Sequence, residues 1–394
     1  MLIPALGLEG CVVPSVPPPL PRVQAPAPLP PPPPPRAAAP AVPHEHLVDT
    51  SGKTDIALLV PLSGPLAGLG HDLLDAAQLA VVELAGDTLV LTPKDTKGTA
   101  AGAADAARRA IAEGARLIVG PLTAGEVEAV QPEAKAAGIN VLAFSNVVKV
   151  AGNGVFLLGF LPQQEAGRVA RYAVSTGLNH LAVLAPASDY GHLAAESFEG
   201  AAAAAGATVD PVEFYAAGGE DLRAVAKHLA AGGRFGFGGV LLPEPDPARL
   251  RSVATALPAA EIDPSKVRLL GTSRWETSSL GQEPALVGGW YAAAPPEARA
   301  GFERHFITAF GHRPQRLATL AYDAVGVAAV LERTPGANFS APALENPSGF
   351  AGADGIFRLL PDGTAERGLA VLQVEPGGAI VLSPAPESFA GSGQ

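Results

Sequence analysis

The apolar positions of this chain fall into short runs separated by stretches of helical spacing, and the alternation starts at Asp55. Ile56–Val60 is an unbroken apolar run, long enough for one buried strand. Pro61 cannot donate to a strand ladder and ends it. Ser63–Gly70 holds three glycines and a proline, which lets the chain turn tightly over the strand end. From His71 onward Leu73, Leu74, Ala77, Ala80, Val81 and Leu84 recur at helical spacing and predict a helix with one apolar face. In an open α/β sheet, the carboxyl end of such a strand and the start of the helix behind it make a ligand site.

The unit repeats. Strands are predicted at 88–91, 117–119, 139–144 and 155–160, with helices at 100–113 and from about 125. Pro132 in the latter predicts a kink or a split. A second set follows: helices at 164–176, 192–205, 221–231 and 247–256, alternating with strands at 180–185, 208–214, 238–242 and 267–270. A strand near 289–292 and helices at 297–310 and 317–332 complete it. This alternation predicts an α/β fold with mainly parallel, doubly wound sheets. From 355 to 382 the pattern changes to two or three strands joined by Pro361-Asp362-Gly363 and Pro376-Gly377-Gly378 turns.

The segment ahead of Asp55 is different. Met1–Gly10 is short and apolar and leads to Cys11, the single cysteine, so no intrachain disulfide is possible. Leu8-Glu9-Gly10-Cys11 resembles a bacterial lipobox, in which the cysteine is lipidated. Glu9 and the missing Lys or Arg upstream depart from that pattern. Residues 12–52 hold fifteen of the forty prolines, a composition that favours extended polyproline II over a core. That suits a tether; the alternative is a docking segment for a proline-binding module. His44-Glu45-His46 has neither a helix nor further ligands to make a metal site.

Charge and motifs narrow the function. The net charge is −11 and no basic cluster occurs, which excludes nucleic acid as an expected partner. No apolar run is long enough to span a bilayer as a helix, so contact with a membrane is expected only through a lipid anchor. Gly64, Gly68 and Gly70 do not have dinucleotide-fingerprint spacing, and Gly52-Lys53-Thr54 lacks the earlier P-loop glycine, with Leu47 in its place. No GxSxG, HExxH or CxxC occurs, so neither an enzyme nor a cofactor or metal is expected. Tyr322-Asp323 sits within a predicted helix and reads as a packed pair or a ligand pair.

The ordered set PLSGPLAGLG, VGPLTAGEVEAVQPEAKAAGINVLAFS, FLLGFLPQQEAGRVA, SDYGHLAAESF, LATLAYDAV and GADGIFRLLPDGTAERGLAVLQV resembles the type I periplasmic binding protein fold, as in leucine-binding proteins. Phe156–Glu165, Gly271-Thr272-Ser273 and Gly288-Gly289-Trp290 leading to Ala294-Pro295-Pro296 are similar to the penicillin-binding-protein activator lipoproteins. The resemblance implies two lobes joined by three crossovers, with a cleft between them. The expected division is 1–11 leader and lipobox, 12–53 disordered linker, 54–160 with 288–345 as lobe one, 161–287 with 346–384 as lobe two, and 385–394 as a flexible tail.

Loops at the strand carboxyl ends then supply the candidate cleft residues: Ser63, Leu66, Thr123, Ala124, Ser145, Asn146, Tyr190 and Ser273. Amino-acid-binding members hold the ligand's charged ends with loop hydroxyls, where this chain has Ala124 and Val147; Thr123 and Ser145 are near enough to substitute. Capping and loop hydrogen bonding are the alternative for Ser63, Thr123, Ser145 and Tyr190. Taken together, the resemblance implies a non-enzymatic periplasmic lipoprotein, anchored at Cys11 to the outer membrane by preference, regulating peptidoglycan synthesis through contact with a cell-wall synthase. The alternative is the solute-binding component of an ABC importer, with a permease as partner and a small molecule such as an amino acid in the cleft.

Overall fold

The computed structural model describes residues 52–389, apart from 233–235, 277–279 and 335–337. The expected leader, Cys11 and the linker up to residue 51 lie outside the described residues, as does the end of the tail from 390. The folded body forms one compact unit. Among the described residues no helix is long and apolar enough to cross a membrane.

The first half alternates β1 (Thr54–Val60), α1 (Ala67–Ala80), β2 (Leu89–Asp95), α2 (Ala100–Ala112), β3 (Leu117–Val119), α3 (Ala124–Ala137), β4 (Val141–Ala143) and β5 (Val155–Leu157). These strands make an all-parallel sheet in the order β2-β1-β3-β4-β5. The period of two decides which face each residue serves. Ile56, Leu58 and Val60 pack into one apolar cluster, while Ala57 and Leu59 pack into the other, beneath α2 and α3.

α1 begins at Ala67, four residues earlier than its apolar spacing predicts, because Gly68 and Gly70 are helical rather than part of the turn. A Cβ on Gly70 would lie 1.9 Å from the Pro61 carbonyl oxygen, so the glycine is there for close approach of helix to strand end. Past Ala80 the helix widens into a π turn, Val81–Ala85. Pro132 neither splits nor ends α3, which runs unbroken from its Thr123 cap to Gly138 in the left-handed conformation.

The second half contains α4 (Pro162–Ser175), β6 (His180–Pro186), α5 (Asp189–Ala204), β7 (Thr208–Tyr215), α6 (Leu222–Gly232), β8 (Gly239–Leu241), α7 (Pro247–Ala259), β9 (Arg268–Gly271) and β10 (Trp290–Ala293). Two helices return to the first half, α8 (Pro296–Phe310) and α9 (Ala318–Arg333), and α9 packs on α1. The chain ends in five strands: β11 (Phe350–Gly352), β12 (Gly355–Leu359), β13 (Ala365–Arg367), β14 (Ala370–Glu375) and β15 (Gly378–Ser383). Four of these fall between 355 and 383, where the turn signals predict two or three.

The second sheet runs β15-β14-β10-β9-β8-β6-β7, parallel from β10 to β7, with β14 and β15 added antiparallel. Its two faces carry separate cores: Leu181, Val183 and Ala185 pack beneath α4 and α5, and Ala182 and Leu184 pack beneath α6 and α7. β10 therefore belongs to the second sheet, although the sequence places 288–345 with lobe one. Conversely β11, β12 and β13 form a small sheet whose Phe350, Phe357 and Leu359 join the core of the first half. The chain passes between the lobes at Leu158–Leu161, Ala294–Pro295 and Gly368–Leu369, three crossovers as expected but with two of them shifted.

Arg367 ties these passages together. Its Nη2 donates to the Leu158 carbonyl at 2.8 Å, its Nη1 to Asp323 Oδ2 at 3.3 Å, and its backbone N–H to Gln164 Oε1 at 3.1 Å. The Arg168 Nε adds a bond to the Leu369 carbonyl at 2.9 Å. The Tyr322-Asp323 pair is thus packing: Tyr322 donates to Glu83 at 2.7 Å, and Asp323 receives Arg367 and the Ala353 N–H.

Candidate functional site

All parallel strands of a sheet point their carboxyl ends to one side, so in each lobe the loops that follow them gather on one rim. From the first lobe Leu122, Phe144, Ser145, Asn146, Gly159 and Phe160 reach a cavity of about 130 Å³. Ser273 and Arg274 reach it from the second lobe, and Arg316 and Leu317 from the loop before α9. Three of the eight candidate residues, Ser145, Asn146 and Ser273, therefore share one cavity.

The other five are placed elsewhere. The Ser63 hydroxyl donates to Asp95 at 2.7 Å, and Asp95 also receives the Leu62 N–H at 2.9 Å. These bonds hold the Asp95 carboxyl below the usual carboxylate range, with burial opposing them as the largest single cause. Leu66 is 37% exposed beside the start of α1. Thr123 caps α3 in a reciprocal box with Glu126: its N–H and hydroxyl reach Glu126 Oε2 at 2.9 and 2.8 Å, and the Thr96 hydroxyl reaches Oε1 at 2.5 Å. Glu126 is fully buried, and these donors replace its water. Ala124 opens the same helix.

Tyr190 stands on the second lobe's rim, where its hydroxyl and that of Thr272 lie 2.9 Å apart and the Arg274 guanidinium lies 5.9 Å from its ring. Burial raises the Tyr190 phenol well above its ordinary value, helped by the nearby Glu165 charge. Ser145 is buried and its hydroxyl accepts the Val147 N–H at 3.2 Å. Outside the cavity lining, Lys149 of the first lobe stands 4.0 Å from Asp189 of the second, both exposed.

Several residues that the sequence did not single out matter more. Glu165, near the start of α4, is buried and receives the Ser273 N–H at 3.1 Å and its hydroxyl at 2.5 Å. Burial pushes its pKa up to about 7, against the lowering effect of those two bonds and of Arg274 and Arg316. Arg316 lies over the Phe160 ring at 4.1 Å and pairs with Asp354 Oδ2 at 3.0 Å. Its Nε stands 3.5 Å from Glu276, which Arg299 also approaches to 3.7 Å. On the second rim Glu244 is buried with its oxygens taken by the Tyr215 hydroxyl at 2.5 Å and the Asp246 N–H at 2.8 Å. The one local signal available was the Pro-Gln-Gln-Glu helix opening, which placed Glu165 at a first turn without saying what it would meet.

Two α/β lobes, three crossovers and a cavity between the facing rims define a type I periplasmic binding protein. The family model described as Periplasmic binding protein matches residues 53–379, so the chain belongs to that family. Among curated relatives, Leu/Ile/Val-binding protein BraC3 of Rhizobium johnstonii is 26% identical over 193 residues, 44% of this chain and 50% of that protein. Penicillin-binding protein activator LpoA of Glaesserella parasuis is 31% identical over 155 residues, 36% of this chain and 24% of that protein. The matches thus span half of one relative's length and about a quarter of the other's.

Solved structures cover more of the chain. An ABC transporter substrate-binding protein from Sphaerobacter thermophilus superposes with a TM-score of 0.70 at 19% identity, over 85% of this chain and 98% of its own. LivJ from Streptococcus pneumoniae in complex with isoleucine gives 0.59 at 21%, over 84% and 100%. A Rhodopseudomonas palustris solute-binding protein in complex with benzoate gives 0.59 at 17%, over 86% and 97%. At these identities the likeness is one of fold.

Proposed function

We propose that the protein is the solute-binding component of an ABC importer, working in the periplasm and handing a small molecule to a permease. The observation that carries this is the cavity walled by Ser145, Asn146 and Phe160 from one lobe and Ser273 and Arg274 from the other. A site split between two lobes lets ligand contacts favour the closed form, which a permease can then recognise. The similarity along most of the chain to solute-binding proteins supports this reading over contact with a cell-wall synthase. The synthase reading keeps the support of the shorter activator match. Lipidation at Cys11, with residues 12–53 as tether, completes the proposal; labelling with a fatty-acid analogue should mark the wild type and not Cys11→Ser.

Cross-linking in the native cells followed by capture of the tagged full chain tests the main reading. Permease subunits should co-enrich. Enrichment of a penicillin-binding protein in their place overturns it in favour of the synthase reading.

A further inference from the structure

Resting on the solute-binding reading, we infer that the interlobe cavity is built for a small monocarboxylate that carries no ammonium group. Its lining is rich in donors. Arg316 is held by Asp354 at 3.0 Å, by Glu276 at 3.5 Å and by the Phe160 ring, and its buried Nη2 makes no hydrogen bond among the described residues. A guanidinium N–H in that state calls for an acceptor. Arg274 approaches from the opposite lobe and makes no ion pair with a carboxylate among the described residues. Ser145 accepts through its oxygen from Val147 and so keeps its own hydroxyl proton to give. A planar carboxylate is the acceptor that guanidinium forks fit.

The rest of the lining selects the body of the ligand. Leu122, Phe144, Phe160 and Leu317 are apolar, so a bare inorganic anion would leave them without a partner. At about 130 Å³ the space is below the roughly 300 Å³ at which pockets for drug-sized ligands begin, so the hydrocarbon part is short.

An ammonium group finds no seat. Among the carboxylates nearby, Glu165 takes both donors of Ser273, Asp354 pairs with Arg316 through Oδ2, and Glu276 lies between Arg316 and Arg299, while Asp354 Oδ1 and Glu276 Oε2 accept no hydrogen bond among the described residues. None of the three lines the cavity. A cation placed there would face two guanidinium groups from opposite walls. The whole-chain charge of −11 does not favour anions, so the preference has to be local to these two arginines.

Isothermal titration of the full chain with probes on one skeleton tests this: leucine, 4-methylpentanoate (leucine without its amine) and 3-methylbutylamine (leucine without its carboxylate), with benzoate as a flat carboxylate. We expect at least one carboxylate to bind tenfold or more tighter than leucine, and the amine to give no heat. Arg274→Ala should weaken that carboxylate at least tenfold with an unchanged melting temperature, because Arg274 is exposed. Arg274→Lys should recover part of the loss. Leucine binding as tightly as the better of the two carboxylates overturns the inference and leaves the solute-binding reading standing. So does an Arg274→Ala variant with wild-type affinity. Silence from both carboxylates at about 10 mM also overturns it, and the cross-linking experiment then decides the solute-binding reading on its own.

Discussion

Ser273 gives both of its donors to Glu165, the backbone N–H to one carboxyl oxygen at 3.1 Å and the hydroxyl to the other at 2.5 Å. The bond joins the loop after β9 to the first turn of α4, so the floor of the cavity depends on a carboxyl that is only 3% exposed.

That carboxyl makes stability depend on pH. Its pKa is raised from 4.5 to about 7 in the folded protein. Between those values the folded chain keeps a proton that the unfolded chain has released, so stability falls as pH rises through the window. Asp323, raised by burial and by the neighbouring Asp354 charge against the pull of Arg367, acts in the same direction. Melting temperatures measured from about pH 5 to pH 8 should therefore decline in the wild type. In Glu165→Gln, which has no proton to lose, the decline should be shallower. An identical decline in both would remove Glu165 as its source.

The pair between Arg367 and Asp323 is buried at the crossovers, with side chains 3% and 0% exposed. Removing one partner leaves the other charge without compensation in a dry site, at a cost of about 3–5 kcal/mol. Arg367→Met should show this loss in urea denaturation. Arg367→Met with Asp323→Asn should recover more than half of it, since a neutral amide is cheaper to bury. Equal losses in the single and double variants would mean that the bond to the Leu158 carbonyl carries the effect instead.

Two glycines inside helices should respond in opposite ways to alanine. At Gly70 the new Cβ meets the Pro61 carbonyl oxygen, and a shift of α1 away from β1 should cost a few kcal/mol. At Gly200, inside α5, nothing lies within 4 Å. Gly200→Ala should stabilise by about 0.5–1 kcal/mol through helix propensity and the unfolded state. Thermal unfolding of the two variants side by side checks the contrast, which vanishes if the helix can slide.

Thr123→Ala should lower stability by about 1–2 kcal/mol, because α3 loses its cap and buried Glu126 loses a donor. Affinity for a ligand of the cavity should change less than twofold, since the hydroxyl points to Glu126. A loss of affinity with unchanged stability would return Thr123 to the ligand site.

Sequence made the order of elements legible, because Ile56–Val60 and its repeats read as strands whatever sheet they join. The lobe boundaries were not legible for the same reason: Trp290–Ala293 is equally apolar beside β9 or in the first sheet, and only pairing decides. Ser145, Asn146 and Ser273 were accessible as polar residues just past strand ends. Arg274 and Arg316 were not, because a surface arginine and a buried one look alike until residues on other elements, Tyr190 for Arg274 and Phe160, Glu276 and Asp354 for Arg316, supply the partners. Glu165 met Ser273 across 108 positions, a distance no spacing rule spans.

The Lys149–Asp189 contact is not part of the cavity lining, yet it joins the same two lobes that a ligand would join. The affinity seen by a titration is then the intrinsic affinity scaled by the fraction of molecules already shut. Natural variation at such outlying positions can thus tune how much solute a cell retains without altering which solute it recognises.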